Sequence, residues 1–187
     1  MRRPHLAAVL ALSLATPVAG QHALGPGGPY DAAVPTPESI LGHPLGARFT
    51  PHHRIVAYAE AVAAASPRVR LDTVAHSFEG RELLLATVTS AANQARLDAI
   101  RAANARLADP RGLAGAELER LVAETPTVVW LGYTIHGNEA SGVEAALGVL
   151  YQLAAGEDEE TRMLLDSVVV LIDPVQNPDG HERHVQE

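Results

Sequence analysis

Two apolar runs decide the fold: Thr127–Gly132, which reads TVVWLG, and Val168–Asp173, which reads VVVLID. Unbroken apolar runs of this length are typical of strands that are covered on both faces of a sheet. Between them, Ser141–Ala155 carries apolar residues at helical spacing, and Ser141 with Glu144 has the spacing of a capping box. The order strand, helix, strand predicts a right-handed crossover between two parallel strands that are adjacent or nearly adjacent in one sheet.

The residues that precede this unit predict a helix and a hairpin. Apolar residues recur at helical spacing from Ile55 until Ser66-Pro67 ends the pattern. Val69–Ala75 and Leu83–Thr89 have the composition of two strands, and Gly80 suits the turn between them. Three further helices are predicted over residues 92–108, 116–123 and 157–166. The sequence therefore predicts a layered α/β fold.

Composition restricts the classes of function. The chain has 187 residues, which suffices for one domain, and 47% of them are hydrophobic. Its net charge of -8 argues against a general nucleic-acid binder, which needs a basic face to neutralise phosphates. The chain has no cysteine, which excludes a disulfide scaffold, a Cys-ligated zinc site and a thiol nucleophile. Any metal site must therefore consist of His, Asp and Glu side chains.

The N-terminal residues resemble an export signal. A basic start at Met1-Arg2-Arg3, a short apolar run and small residues up to Gly20 predict a cleaved signal peptide over residues 1–20. Its removal leaves 12 basic and 22 acidic residues. We expect bacterial export to the periplasm or the medium, with no stable membrane insertion afterwards. Residues 21–46 are rich in Gly and Pro, which predicts an extended arm without a helix or a central strand.

A His-x-x-Glu spacing, which is one economical way to bind zinc without cysteine, occurs three times. The pair His76 and Glu79 falls in the hairpin turn, and the pair His184 and Glu187 ends the chain. His136 and Glu139 instead follow the first apolar strand and precede the helix, at the edge of an α/β sheet where ligands bind. Gly137 between them allows a close backbone approach. From this pattern alone, either a metal site or an inert hydrogen-bonded loop is possible.

A second concentrated motif, Asn177-Pro178-Asp179-Gly180, follows the second apolar strand. Its residues are those of a turn without any further role. Because it leaves the carboxyl end of a neighbouring strand, we expect it to lie at the same edge of the sheet as His136 and Glu139.

These segments together resemble the metallocarboxypeptidases, the carboxypeptidase A-like zinc peptidases. Leu131–Gly142 looks like the zinc-binding segment of that family, and Asp173–Gly180 resembles its next motif at a suitable separation. The hairpin segment Phe78–Leu83 is similar to a Gly-Arg turn early in these enzymes. The likeness runs from about Pro51 to the end of the chain.

The resemblance implies a three-layer α/β/α sandwich around a mixed, partly parallel sheet, which is incomplete in this chain. Residues 47–187 would be the N-terminal part of the catalytic domain, with His136 and Glu139 as the first two zinc ligands. In that family, a third ligand, the carboxylate-binding residues and the catalytic Glu come from further along the chain, so no catalytic residue is assigned. The implied substrate is a peptide or protein, and the chain alone is expected to be inactive.

Two alternatives remain at this point. A related zinc deacylase of the aspartoacylase and succinylglutamate desuccinylase type uses a similar His-Gly-Asn-Glu segment. A non-catalytic exported binding module would keep the fold and lack the complete site. Neither the HExxH motif of another class of zinc peptidase nor a Gly-x-Ser-x-Gly elbow of a serine hydrolase occurs in the sequence.

Overall fold

A four-stranded mixed sheet forms the centre of the computed structural model, which describes residues 28–186. The strands are β1 (Val69–His76), β2 (Glu82–Val88), β3 (Thr127–Gly132) and β4 (Val168–Asp173), in the order β1-β2-β4-β3. Strands β1 and β2 form the predicted antiparallel hairpin, and β2 pairs antiparallel with β4. Strands β3 and β4 are adjacent and parallel over their whole length, as predicted.

Within the described residues, eight helices flank this sheet: α1 (Pro37–Leu41), α2 (His52–Ala65), α3 (Ala91–Gln94), α4 (Leu97–Ala108), α5 (Gly115–Glu124), α6 (Ser141–Ala155), α7 (Glu159–Ser167) and α8 (Pro178–Gln186). The single helix predicted over residues 92–108 is wrong, because the chain leaves helical geometry at Arg96. The buried Asn93 amide donates hydrogen bonds to the carbonyls of Leu165 and Asp166 and so fixes α3 against α7. No helix in residues 28–186 combines the length and apolar character that a membrane span requires.

Helices lie on both faces of the sheet, which confirms the three-layer α/β/α arrangement. On one face, alternate residues of β2 and β4, such as Val88 and Ile172, pack with α2 and α6 in the main core. On the other face, Val169 and Leu171 line a cavity of about 270 Å³ beneath α4. This alternation follows from the pleat of a strand, which directs successive side chains to opposite faces.

Strand β3 is far more exposed than its sequence predicts. Val128, Val129 and Trp130 are 42%, 38% and 63% exposed, so the expectation that both faces of this strand are covered is wrong for the described residues. The reason is its place at one edge of the sheet order, whereas β4, with the same kind of sequence, lies between two strands. An apolar run specifies a strand without specifying its position in the sheet.

The Gly- and Pro-rich segment predicted as an extended arm holds a short helix, so that expectation is corrected for residues 28–46. Thr36 caps α1 by accepting a hydrogen bond from the Ser39 N–H at 3.3 Å, and Pro37 begins the helix, a position that needs no proline N–H. Val34 and Leu41 are buried in the main core. Residues 21–27 and the predicted signal peptide, residues 1–20, lie outside the described residues.

The capping box predicted at the start of α6 is absent. The helix begins after Ala140 without a side-chain cap, and the Glu144 carboxylate turns toward the segment that precedes α2. There it accepts hydrogen bonds from the backbone N–H groups of Gly46, at 3.1 Å, and Thr50, at 2.9 Å. Glu144 therefore joins the N-terminal segment to the central helix. The capping-box spacing of Ser141 and Glu144 is not used, because the carboxylate makes these tertiary hydrogen bonds instead.

Replacing Glu144 with Ala is expected to destabilise the fold by about 2–3 kcal/mol, because the buried Thr50 N–H loses a charged acceptor and has no access to water. Urea unfolding followed by circular dichroism measures this change. The Glu144→Gln variant, which keeps one acceptor oxygen, should lose about half as much. An unchanged urea midpoint for Glu144→Ala would contradict the role given to these two hydrogen bonds.

Candidate metal centre

The loops that leave β3 and β4 are joined at the carboxyl edge of the sheet. The Tyr133 N–H donates to the Asp173 carbonyl at 2.9 Å, and the Gln176 N–H donates back to the Tyr133 carbonyl at 3.0 Å. A further bond runs from the Asn177 N–H to the Thr134 carbonyl at 3.2 Å. The two sequence motifs therefore meet at one edge, as expected from two adjacent parallel strands.

His136 and Glu139 lie together on the exposed side of the loop between β3 and α6. The Nδ1 atom of His136 is 3.2 Å from Oε1 of Glu139, and their side chains are 70% and 63% exposed. A tight turn brings them together, since the Glu139 N–H donates to the His136 carbonyl at 3.0 Å. Thr134 supports this turn from below: its hydroxyl donates to the Glu139 carbonyl at 3.2 Å. Its φ of 51° is unusual for a residue other than glycine.

This pair fits two ligands of a zinc ion. Imidazole nitrogen and carboxylate oxygen are zinc ligands, and two such atoms on one tetrahedral ion lie roughly 3.4 Å apart. The observed 3.2 Å separation is close to that value, and both side chains are accessible. Within residues 28–186, however, no group of three or more His, Asp or Glu side chains is placed to hold a metal ion. The described part of the chain thus presents two candidate ligands.

Gly137 packs directly against the first turn of α8. A Cβ atom at this position would lie 2.1 Å from the Gly180 carbonyl carbon and 2.3 Å from the His181 nitrogen. Both atoms belong to the backbone, so no side chain can move away to make room. Gly137 is therefore required for close contact between the loop after β3 and α8, in agreement with the sequence interpretation.

Asp173, at the end of β4, is an acid next to this edge. One of its carboxylate oxygens is buried without a hydrogen-bond partner in the described residues. Burial raises the pKa of Asp173, and this exceeds the opposing effect of a hydrogen bond from Gln176. The Gln176 side chain also occupies the space above Gly132, where a Cβ would be 2.3 Å from its amide nitrogen.

The other two His-x-x-Glu pairs have different surroundings. The Glu79 carboxylate is paired with Arg81 and with Arg183. The hydrogen bond from Arg81, and to a smaller extent the one from Arg183, holds the pKa of Glu79 below its usual value. The His184 ring faces Phe49 at a centroid distance of 5.3 Å. Glu187 lies outside the described residues.

The Asn177-Pro178-Asp179-Gly180 motif begins a helix, so its interpretation as a simple turn is wrong. Pro178 is the first residue of α8, and the Asn177 carboxamide oxygen accepts a hydrogen bond from the Gly180 N–H at 2.9 Å. Asn before Pro is a favourable start for a helix. The Asn side chain can cap the helix, and the N–H that proline lacks has no helical acceptor at the first position. Asn, Pro, Asp and Gly are common both in turns and at helix starts, and the neighbouring sequence did not distinguish these two structures.

Asp179 and His181 connect α8 to distant segments, a role that the sequence interpretation did not give them. Asp179 accepts hydrogen bonds from the Ser77 hydroxyl at 2.7 Å, from the Glu79 N–H at 3.1 Å and from Arg81 at 2.7 Å. The fully buried His181 ring contacts the Thr50 carbonyl through Nε2 at 2.8 Å. No local sequence signal could reveal these contacts, because their partners lie about a hundred residues away along the chain.

The electrostatics around Asp179 favour its ionised form. Partial burial raises the pKa of its carboxyl, but hydrogen bonds from Ser77 and Arg81 outweigh this, and the pKa lies below its ordinary value. A carboxyl group whose pKa is lower in the folded state stabilises the fold at pH values above its unfolded-state pKa. This stabilisation is lost as the pH falls through the folded-state pKa. The contact between Asp179 and the hairpin is therefore at full strength near neutral pH.

The sequence is similar to that of zinc carboxypeptidases. The family model for zinc carboxypeptidases, Peptidase_M14, matches residues 55–187, whereas no curated protein matches the sequence. Solved structures of similar fold include thrombin activatable fibrinolysis inhibitor (16% identity, TM-score 0.47, 72% of this chain and 27% of that chain). A carboxypeptidase A candidate from Shewanella denitrificans OS-217 has 21% identity and a TM-score of 0.43 over 73% of this chain and 28% of its own. A metallo-carboxypeptidase from Burkholderia cenocepacia has 20% identity and a TM-score of 0.40 over 73% and 29%. The chain thus spans less than a third of the length of these structures.

Proposed function

Because the chain belongs to the zinc carboxypeptidase family, we propose that it is part of a zinc-dependent peptidase that removes residues from the carboxyl end of peptides. The observation that supports this proposal most directly is the close pair His136 and Glu139 on the loop after β3. These two side chains would hold the zinc ion. The substrate would be a peptide or protein that enters at the carboxyl edge of the sheet.

In this proposal, bound zinc supplies Lewis acidity and a water molecule of lowered pKa. The chain's own residues present the two ligand atoms in one orientation. Thr134 holds the Glu139 backbone from below, and Gly137 seats the loop on the first turn of α8. The N-terminus of α6, with its partial positive charge, lies beside Glu139 and favours negative charge at this point.

A catalytic zinc site needs a third protein ligand and a group that transfers the proton of the attacking water. The proposal takes both from outside the described residues, as the resemblance to the metallocarboxypeptidases implies. We accordingly expect the 187-residue chain alone to bind zinc weakly and to show no hydrolysis. Adding the remainder of a longer protein should restore both.

Export is also part of the proposal. The basic start, the short apolar run and the small residues before Gln21 support a signal peptide over residues 1–20. We expect the exported protein to begin near Gln21. N-terminal sequencing of material recovered outside the cytoplasm measures this, and a mature protein that still begins at Met1 would contradict it.

The substrate class is tested with the full-length protein and equimolar zinc. We expect release of the last residue from a peptide with a free carboxyl terminus and none from the same peptide with an amidated terminus. An N-acyl amino acid tests for the related deacylase. Hydrolysis of the acyl amino acid alone would replace the peptidase assignment. Stoichiometric zinc without turnover of either substrate would favour the non-catalytic binding module.

A further inference from the structure

We infer that Asp179 is a positioning residue that increases the zinc affinity of the site without contacting its ligands. It acts through the loop that carries His136 and Glu139, which we call the metal loop. This inference rests on the proposed function. Asp179 touches neither of the two candidate ligands. Its carboxylate instead joins the β1–β2 hairpin to the first turn of α8, and that turn contacts Gly137 of the metal loop.

The first link in this connection runs from the hairpin turn to α8. The Asp179 carboxylate receives three hydrogen bonds from one turn: from the Ser77 hydroxyl, the Glu79 N–H and the Arg81 guanidinium. Ser77 also accepts a hydrogen bond from the Arg81 N–H at 2.9 Å, so the turn is itself closed around this carboxylate. Three donors fix a carboxylate in both position and orientation, because each constrains a different direction.

The second link runs from α8 to the metal loop. Asp179 is followed by Gly180 and His181, whose shared peptide bond is the surface on which Gly137 rests. Gly137 lies between the two ligand residues, so a shift of that peptide moves both ligands. The hydrogen bond from the Asn177 N–H to Thr134 joins the same turn to the start of the loop. The position of α8 is therefore transmitted to His136 and Glu139 by backbone contacts.

Without the Asp179 contacts, α8 would still be held by the buried His181 ring and by the Asn177 cap. We therefore expect the helix to remain formed and its first turn to gain freedom. A ligand pair that is no longer held at one separation binds metal less tightly, and loss of orienting contacts around a metal site typically weakens affinity by about 10- to 100-fold.

The test compares zinc dissociation constants in the full-length protein, measured by competition with a chelator well below the unfolding temperature of every variant. Asp179→Ala is expected to raise the constant about tenfold, and Asp179→Asn by a smaller factor. Ser77→Ala, which removes one donor only, is the milder variant if Asp179→Ala does not fold. Arg81→Ala should not add its full effect to that of Asp179→Ala, since both remove the same contact.

Ser66→Ala is the matched control for a general loss of stability. The buried Ser66 hydroxyl donates to the Ala154 carbonyl at 2.9 Å. That contact lies at the C-terminal end of α6, roughly 20 Å along the helix from the metal loop. Ser66→Ala should lower the unfolding temperature and leave the zinc constant unchanged.

An unchanged zinc constant in folded Asp179→Ala or Ser77→Ala would overturn the inference. An equal weakening in Ser66→Ala would do so as well, because zinc affinity would then follow overall stability. A wild-type protein that binds no zinc at all would refute the proposed function instead, so the two failures are distinct.

Discussion

In the full-length protein, the His136→Ala variant is expected to lose stoichiometric zinc and all measurable peptide hydrolysis. Among the residues that the structure describes, His136 and Glu139 are the only His-x-x-Glu pair at the carboxyl edge of the sheet. Both side chains are exposed there. Removing one of three protein ligands should weaken zinc binding by about a hundredfold or more. Metal analysis after gel filtration, together with the rate of release of the terminal amino acid, measures both effects.

His76→Ala and His184→Ala are internal controls for this prediction, because each residue has the same spacing to a Glu in the sequence. Both variants should keep zinc. In the structure, the carboxylate of Glu79 is paired with two arginines, and the His184 ring contacts Phe49. If His76→Ala removed zinc while His136→Ala retained it, the assignment of His136 and the proposed mechanism would both be wrong.

The sequence predicted the central part of the fold because local patterns determine it. Residues 127–132 and 168–173 are continuous apolar runs of strand length, and the helix between them is long enough for a parallel crossover. The hairpin followed from two short strand patterns around Gly80, whose φ of 82° matches the conformation that favours glycine in a turn. The adjacency of β3 and β4 in turn brings the segments that follow them, including His136, to one edge of the sheet.

The errors arise where tertiary contacts compete with local patterns. Glu144 has the spacing of a capping box, yet the backbone donors of Gly46 and Thr50 offer its carboxylate a buried environment with two hydrogen bonds. β3 has the sequence of an interior strand and lies at an edge of the described sheet. For Glu144, the residue type was compatible with two environments, and only the assembled chain selects one.

The candidate site shows the same division. The choice of His136 and Glu139 as the candidate ligand pair rests on their spacing and on the position of one strand. The segment that supports this pair depends on contacts between residues that are far apart in sequence, such as the contact of Asp179 with the turn that contains Ser77. No pattern within one segment encodes such a contact. Contacts that support a candidate site from distant segments are therefore harder to predict than the candidate ligands themselves.

The Gly137→Ala variant is expected to lose about 3 kcal/mol or more of unfolding free energy and to bind zinc poorly. A single methyl group would stand 2.1 Å from the Gly180 carbonyl carbon and 2.3 Å from the His181 nitrogen. Real Cβ atoms do not approach backbone atoms so closely, so either the loop after β3 or the first turn of α8 must move. The first turn of α8 is held by the Asn177 cap and by the buried His181 ring, so we expect the loop after β3 to be displaced.

Gly42→Ala separates this steric effect from the general cost of replacing a glycine. Gly42 ends α1 with a φ of 77° and has open space around the position of a Cβ. Its substitution should cost only about 1–2 kcal/mol, the price of a left-handed conformation for a residue with a side chain. Urea unfolding and zinc titration of both variants test the prediction. Equal losses of stability with unchanged zinc affinity in Gly137→Ala would contradict it, because the methyl group would then have been accommodated without moving His136 or Glu139.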